Sequence, residues 1–389
     1  MNMQAYRMNW NYPTSVRVGA GRISELADAC KQLSMHAPLL VTDPGLAALP
    51  MIDEALKQCR DAGLAADVFS AIKGNPTGQN VTDGVVVYRA GHHDGVIAFG
   101  GGSALDAAKA IALMAGQDRP LWDFEDVGDN HLRVNVAGMA PVVAVPTTAG
   151  TGSEVGRASV ITDDEVHIKR IIFHARMLPA LVILDPELTV GLPPGITAAT
   201  GMDALSHNLE AYCSPLFHPM AEGIALEGMR LIKDYLPRAT AHGTDLEARL
   251  NMLVASSMGA TAFQRGLGGM HALAHPLGAL YDAHHGTLNA ILMPYVLQAN
   301  RSSIEPQLQR LGRYLDLPRQ DFTGVLDWVL ELRSEVGIAH NLAEIGIDDR
   351  QIERVGQMAV ADAASGTNPI QFDAEQYSAI FTRALHGQL

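Results

Sequence analysis

In the first half of the chain, apolar residues fall in short runs separated by longer stretches with helical spacing. The runs Pro38 to Val41, Ala66 to Phe69 and Gly95 to Phe99 are short and mostly apolar, and Val142 to Val145 and Leu181 to Leu184 are continuous apolar runs, as strands buried on both faces tend to be. Between them, Ala47 to Gly63 and Val81 to Ala90 carry helical patterns. This alternation predicts a parallel sheet covered by helices, with a ligand crevice at the carboxyl ends of its strands. After Asp185-Pro186 the strand-like runs stop, and Ala198 to Tyr212, Met220 to Tyr235 and Leu246 to Thr261 repeat with a period of about 3.6 residues. The second half is therefore expected to be all helical. Gly191, Pro193, Pro194 and Gly195 interrupt any regular element, which places the expected boundary between residues 1–190 and 191–389. No internal repeat or low-complexity tract is evident.

Composition narrows the picture. A chain of 389 residues with 48% apolar content is long for one core and favours two domains. Its formal charge of −14, from 28 basic and 42 acidic residues without a basic run, argues against a surface that tracks nucleic-acid phosphates. Cys30, Cys59 and Cys213 form no C-x-x-C pair, so neither a disulfide framework nor a thiolate metal site is expected. Asn9, Asn11 and Pro13 interrupt the first 18 residues where a signal peptide needs an apolar stretch, and no run of about 18 apolar residues occurs. A cytoplasmic protein without membrane insertion is expected.

Candidate chemistry lies in both halves. Asp203 and His207 are four apart in a helical segment, as are His271 and His275, and His285 follows ten residues after His275, with His284 beside it. Residues four apart share a helix face, and one carboxylate with several imidazoles suits zinc or iron(II) rather than calcium. Spacing alone does not choose among these histidines, and an isolated histidine or Asp203 also fits a packed or capping role. In the first half, Gly100 to Ser103 follow a strand and open a helix, where backbone N–H groups can receive a pyrophosphate; a plain strand-to-helix turn is the alternative. A second loop of small residues, Pro146 to Glu154, follows another strand. Asp43 lies just past the first run, where a carboxylate can bind ribose hydroxyls or simply cap an Asp-Pro-Gly turn.

Together these motifs resemble the iron-containing (group III) alcohol dehydrogenase family. The resemblance runs from about Tyr12 to the end of the chain. It joins Gly-Gly-Gly-Ser at 100–103, Asp106 and Lys109, Pro146-Thr-Thr, Thr151-Gly-Ser-Glu, Asp185-Pro186, the 201–207 segment, His271 to Gly278, and His285-Gly286. It implies an N-terminal Rossmann-like nucleotide-binding α/β domain, a C-terminal helical domain, and an active site in the cleft between them. It also implies Asp203, His207, His271 and His285 as metal ligands, with His275 lining the site as a catalytic residue. NAD contacts would fall to Asp43, Asn75, Gly101, Gly102, Ser103, Asp106, Thr147, Thr148, Thr151, Lys169 and Leu188, with Asp43 selecting NAD over NADP. One departure stands out: Thr367-Asn-Pro369 is followed by Ile370 where the family often has Arg.

The resemblance implies hydride transfer between a small primary alcohol, diol or hydroxy acid and NAD. A divalent metal, iron or zinc, would act as Lewis acid, His275 would relay the proton, and a homodimer is expected. The leading alternative is a lyase or synthase of the dehydroquinate synthase kind. Such a site needs Lys and Arg for an anionic substrate, whereas Ala, Leu, Met, Gly and Pro surround the candidate ligands, with Arg265 the nearest cation in sequence. A scaffold that binds metal or nucleotide without catalysis is the alternative from another class.

Overall fold

The computed structural model describes residues 12, 14–166 and 168–389. Six strands, β1 (Ser15–Val18), β2 (Pro38–Val41), β3 (Asp67–Phe69), β4 (Gly95–Gly100), β5 (Val142–Pro146) and β8 (Leu181–Leu184), form one sheet in the order β1-β8-β5-β4-β2-β3. Every pairing in it is parallel. Helices α1 (Leu26–Gln32), α2 (Pro44–Ala47), α3 (Pro50–Asp61), α4 (Gly78–Ala90) and α5 (Gly102–Met114) connect its strands. The chain divides into two compact units, one comprising 14–148 and 152–191, the other 149–151 and 192–389.

Three features depart from the sequence expectation. Strand β1 carries Arg17 and has a mixed burial pattern, because it lies at the sheet edge beside β8. The chain also contains an antiparallel hairpin, β6 (Ala158–Asp163) and β7 (Ile168–Phe173). Burial alternates along β6, and Lys169 and Arg170 interrupt β7, so neither reads as a continuous apolar run. The helix expected from Ala47 to Gly63 is two helices, because Leu49 is extended and Pro50 opens a new first turn.

Helix α5 ties the hairpin to the sheet through buried charges. Lys109 is 2% exposed, and its Nζ donates to Ser153 O at 3.1 Å and to Ala158 O, and lies 3.2 Å from Asp106 Oδ1. Asp106 in turn accepts from Ser153 Oγ at 2.5 Å and Val160 N at 2.9 Å. One buried lysine thus holds a loop, a strand and a carboxylate at once.

Among the described residues of the second unit all regular elements are helices: α6 (Pro194–Cys213), α7 (Pro219–Ala241), α8 (Leu246–Ala262), α9 (Gly269–Tyr281), α10 (His285–Tyr314), α11 (Phe322–Glu335), α12 (Ile352–Ala361) and α13 (Ala374–His386). From Thr197 to Cys213 every residue of α6 is buried, as in a helix surrounded by others; α7, α8 and α10 pack against it. Such a helix fixes the position of any polar side chain it carries.

Replacing Lys109 with Met should destabilise the sheet unit by about 3–5 kcal/mol, since it removes the countercharge of Asp106 and a donor to Ser153 O and Ala158 O in the interior. Denaturant unfolding measures this, and a loss below about 1 kcal/mol would mean that the buried lysine does not tie these elements together.

Candidate metal centre and nucleotide crevice

The strand order reverses at β2, which has β3 on one side and β4 on the other. At such a reversal the carboxyl ends of the strands flank a ligand crevice. Asp43 follows β2, and its Oδ1 accepts from Gly45 N at 2.9 Å and Leu46 N at 3.0 Å, capping α2. Gly100 ends β4 with φ 149°, and a Cβ there would stand 2.8 Å from Ala104 Cβ, so only glycine fits. Gly101 and Gly102 begin α5. Ser103 Oγ donates to Gly74 O, tying the loop that carries Asn75 to the start of that helix. Thr147 N donates to Gly100 O at 2.9 Å, and a Cβ at Gly101 would lie 3.3 Å from Thr148 Cγ2. The structure therefore collects Asp43, Asn75, Gly101, Gly102, Ser103, Thr147 and Thr148 around the ends of β2, β4 and β5.

The remaining nucleotide candidates lie elsewhere. Asp106 is occupied by Ser153, Val160 and Lys109, Lys169 stands in the hairpin opposite Thr162, and Leu188 packs into the core beneath the sheet. Thr151 belongs to the helical unit.

Three stretches of the helical unit converge on one point. Asp203 and His207 project from α6, His271 from α9, and His285 opens α10; their donor atoms all lie within 4.8 Å of one another. His284, the neighbour that spacing could not separate from His285, instead caps α10, its Nδ1 accepting from Thr287 N at 3.4 Å. Asp203 is 2% exposed, and among the described residues no lysine or arginine pairs with it; its contacts are Asn289 Nδ2 at 2.8 Å and His285 Nε2 at 3.7 Å. A buried carboxylate needs a countercharge, and a divalent cation among these four donors would supply it. Burial pushes the His271 imidazole well below the ordinary histidine range, which keeps it in the neutral form that a metal requires. The donor set fits zinc or iron(II).

The surrounding groups were largely missed from sequence. His207 Nδ1 lies 3.2 Å from Gly150 O, and its ring meets Phe263 edge-on at 5.3 Å. His271 Nδ1 lies 2.7 Å from Glu210 Oε2. Burial raises the Glu210 carboxyl to about 7, against the pull of the N–H groups of Met270 and Gly268. Asn289 Nδ2 stands 2.8 Å from Asp203 Oδ1, 3.2 Å from His271 Nε2 and 3.1 Å from His285 Nε2, while its buried Oδ1 has no hydrogen-bond partner among the described residues. Both residues had a usable signal: Glu210 continues the Asp203–His207 face at i+7, and Asn289 is four residues beyond His285. Asp362 had none. Its Oδ2 lies 2.8 Å from His275 Nδ1; burial works to raise its carboxyl, but His275 and its other hydrogen bonds outweigh this and hold it low. The His275 ring stacks on His285 at 5.5 Å.

Thr367-Asn-Pro369 has a structural task that uses only the main chain of the residue after it, whose carbonyl accepts from Asn368 Nδ2 at 2.7 Å. Thr367 Oγ1 donates to Leu267 O at 2.7 Å and Asn368 Oδ1 accepts from Gly269 N at 2.9 Å, fixing the start of α9. Arg265 is also held structurally, donating to Leu216 O at 2.6 Å and Tyr212 O at 2.9 Å.

Glycines let the ligand helices touch. A Cβ at Gly286 would stand 2.3 Å from Ala199 O and 3.1 Å from Asp203 Cβ.

Known proteins resemble this chain over both units. The family described as "Iron-containing alcohol dehydrogenase" matches residues 13–186, and "Fe-containing alcohol dehydrogenase family, C-terminal" matches residues 197–385. The chain is 38% identical to a 4-hydroxybutyrate dehydrogenase of Cupriavidus necator, covering 96% of this chain and 99% of that protein. It is 34% identical to an NAD-dependent methanol dehydrogenase of Bacillus methanolicus, covering 97% and 100%. A crystal structure of 1,3-propanediol oxidoreductase superposes with a TM-score of 0.93 at 34% identity, covering 97% of this chain and 100% of that one. The chain belongs to the iron-containing alcohol dehydrogenase family. It is an oxidoreductase that moves a hydride between an alcohol and the corresponding carbonyl compound, and the dehydroquinate synthase alternative is not favoured.

Changing Gly286 to Ala should cost about 1–3 kcal/mol, because the clash is with main chain and the start of α10 must shift. Calorimetry of the metal-free protein tests this; an unchanged melting temperature would mean that the contact with Ala199 is loose.

Proposed function

We propose that this protein is an NAD-dependent dehydrogenase of a small primary alcohol, diol or hydroxy acid whose divalent cation is held by Asp203, His207, His271 and His285. The observation that carries the reading is the convergence of one buried carboxylate and three imidazoles, with no lysine or arginine beside Asp203 among the described residues. A cation bound there supplies Lewis-acid chemistry that makes an alcohol oxygen easier to deprotonate. Iron(II) is favoured over zinc by the family, although the donors suit both.

The chain's own residues do the rest. Asp362 accepts from Nδ1 of His275 and so leaves the Nε2 lone pair to take a proton from substrate. Gly101, Gly102, Ser103, Thr147 and Thr148 line a crevice suited to a pyrophosphate, with Asp43 placed to accept ribose hydroxyls and repel a 2′-phosphate. Asn75, Asp106, Thr151, Lys169 and Leu188 complete the proposed cofactor set, Asp106 by holding Ser153 and β6 in place. The reading includes a homodimer, since two-fold assembly is common. It also includes the cytoplasm, whose reducing conditions suit three buried unpaired cysteines. We assign residues 1–190 to the NAD-binding domain and 191–389 to the metal-binding domain.

The direct test is a panel of alcohols, diols and hydroxy acids with NAD and NADP, using protein reconstituted anaerobically with iron or zinc. Formation of NADH with at least one substrate is expected. Full metal and NAD occupancy without turnover of any alcohol or aldehyde would sink the proposal. His271→Ala should lose stoichiometric metal and turnover while still binding NAD, and retention of both metal and turnover would refute the ligand set. In His275→Ala, kcat should drop by roughly 100-fold or more with metal content intact and partial rescue by added imidazole; an unchanged kcat would remove His275 from the mechanism.

A further inference from the structure

We infer that Glu210 is a positioning residue of the metal centre, a buried carboxylate that holds His271 in the tautomer presenting Nε2 to the cation. The inference rests on the metal-site reading above and adds a residue outside the four ligands. His271 Nε2 lies among the donor atoms, 3.2 Å from Asn289 Nδ2. Its Nδ1 faces the other way and lies 2.7 Å from Glu210 Oε2. Both Glu210 oxygens are turned to N–H donors, and a cation at the site would favour the ionised form; as a carboxylate it only accepts, which puts the ring proton on Nδ1 and leaves the lone pair on Nε2, the arrangement that coordination requires. Both side chains are nearly inaccessible, at 2% and 4% exposure, so water does not compete for the contact.

Glu210 is itself held in place. Oε1 accepts from Met270 N at 2.6 Å and Oε2 from Gly268 N at 2.8 Å. These groups lie at the start of α9, whose third residue is His271. One carboxylate therefore sets both where the helix begins and which way its ligand ring is turned. Among the described residues no lysine or arginine pairs with Glu210, so with Asp203 it brings two carboxylates to the surroundings of one divalent cation. Glutamine at this position cannot reproduce the arrangement. It has one acceptor oxygen for two backbone donors, and an amide NH₂ facing Nδ1 would favour moving the ring proton to Nε2.

The test measures zinc affinity by chelator competition and the absorption spectrum with cobalt(II) for wild type, Glu210→Gln and Asn368→Ala. Asn368 caps the same helix through Gly269 N without contacting His271. Glu210→Gln should bind zinc about 10–100-fold more weakly and shift the cobalt bands, while Asn368→Ala keeps both close to wild type. Unchanged affinity and spectrum in Glu210→Gln would overturn the inference. So would an equal loss in Asn368→Ala, which would trace the effect to the helix start. A wild-type protein that takes up neither metal would instead refute the metal-site reading, and this inference with it. If Glu210→Gln does not fold, nitrogen-15 histidine spectra of the zinc-loaded wild type decide. A proton on His271 Nδ1 is expected, and its absence would overturn the assignment.

Discussion

The helical unit is organised around one electrostatic constraint, a carboxylate sealed inside apolar helices beside three imidazoles. Asp203 has 2% of its surface exposed and, among the described residues, no lysine or arginine paired with it. Leaving such a group unbalanced would cost several kcal/mol, so the site is poised for positive charge. The packing keeps it so: α6 is enclosed along the length that bears Asp203 and His207, and α9 and α10 bring the other two donors to it.

Histidine orientation follows from what stands behind each ring. A carbonyl holds His207, a carboxylate holds His271, and another carboxylate holds His275, which is not among the converging donors. On α9 the same i, i+4 pattern thus presents two imidazole–carboxylate pairs with different surroundings. One is fully enclosed and points into the donor cluster. The other keeps about 15% exposure at each side chain.

Much of this was legible in the chain. Strands buried on both faces announced themselves as unbroken apolar runs, and the helical half by its period. What escaped was what periodicity does not encode. The β6–β7 hairpin carries charged residues such as Arg170 on its strands, and Leu49 breaks a helix that apolar spacing alone would continue. Spacing proposed His271 and His275 alike and left His284 and His285 equivalent. The chain's own folding separates them, turning His284 into a helix cap and His285 into the cluster. Asp362 stands 87 residues from His275, and no local pattern connects two groups so distant in sequence. Glu210 and Asn289, by contrast, continue helical faces already marked and were within reach of the same logic.

The glycines around α6 bear on how such a chain can diverge. At Gly201 even a methyl group would press to 2.2 Å on Leu236, and at Gly259 it would meet the Asn208 amide at 2.7 Å and the Cβ of His207 at 3.0 Å. The ground next to the donors is therefore closed to gradual side-chain growth, since each step must be matched by movement of a neighbour. Drift that retunes which molecule is processed has to proceed through positions farther out, so descendants of this sequence can change their diet far more readily than their cation.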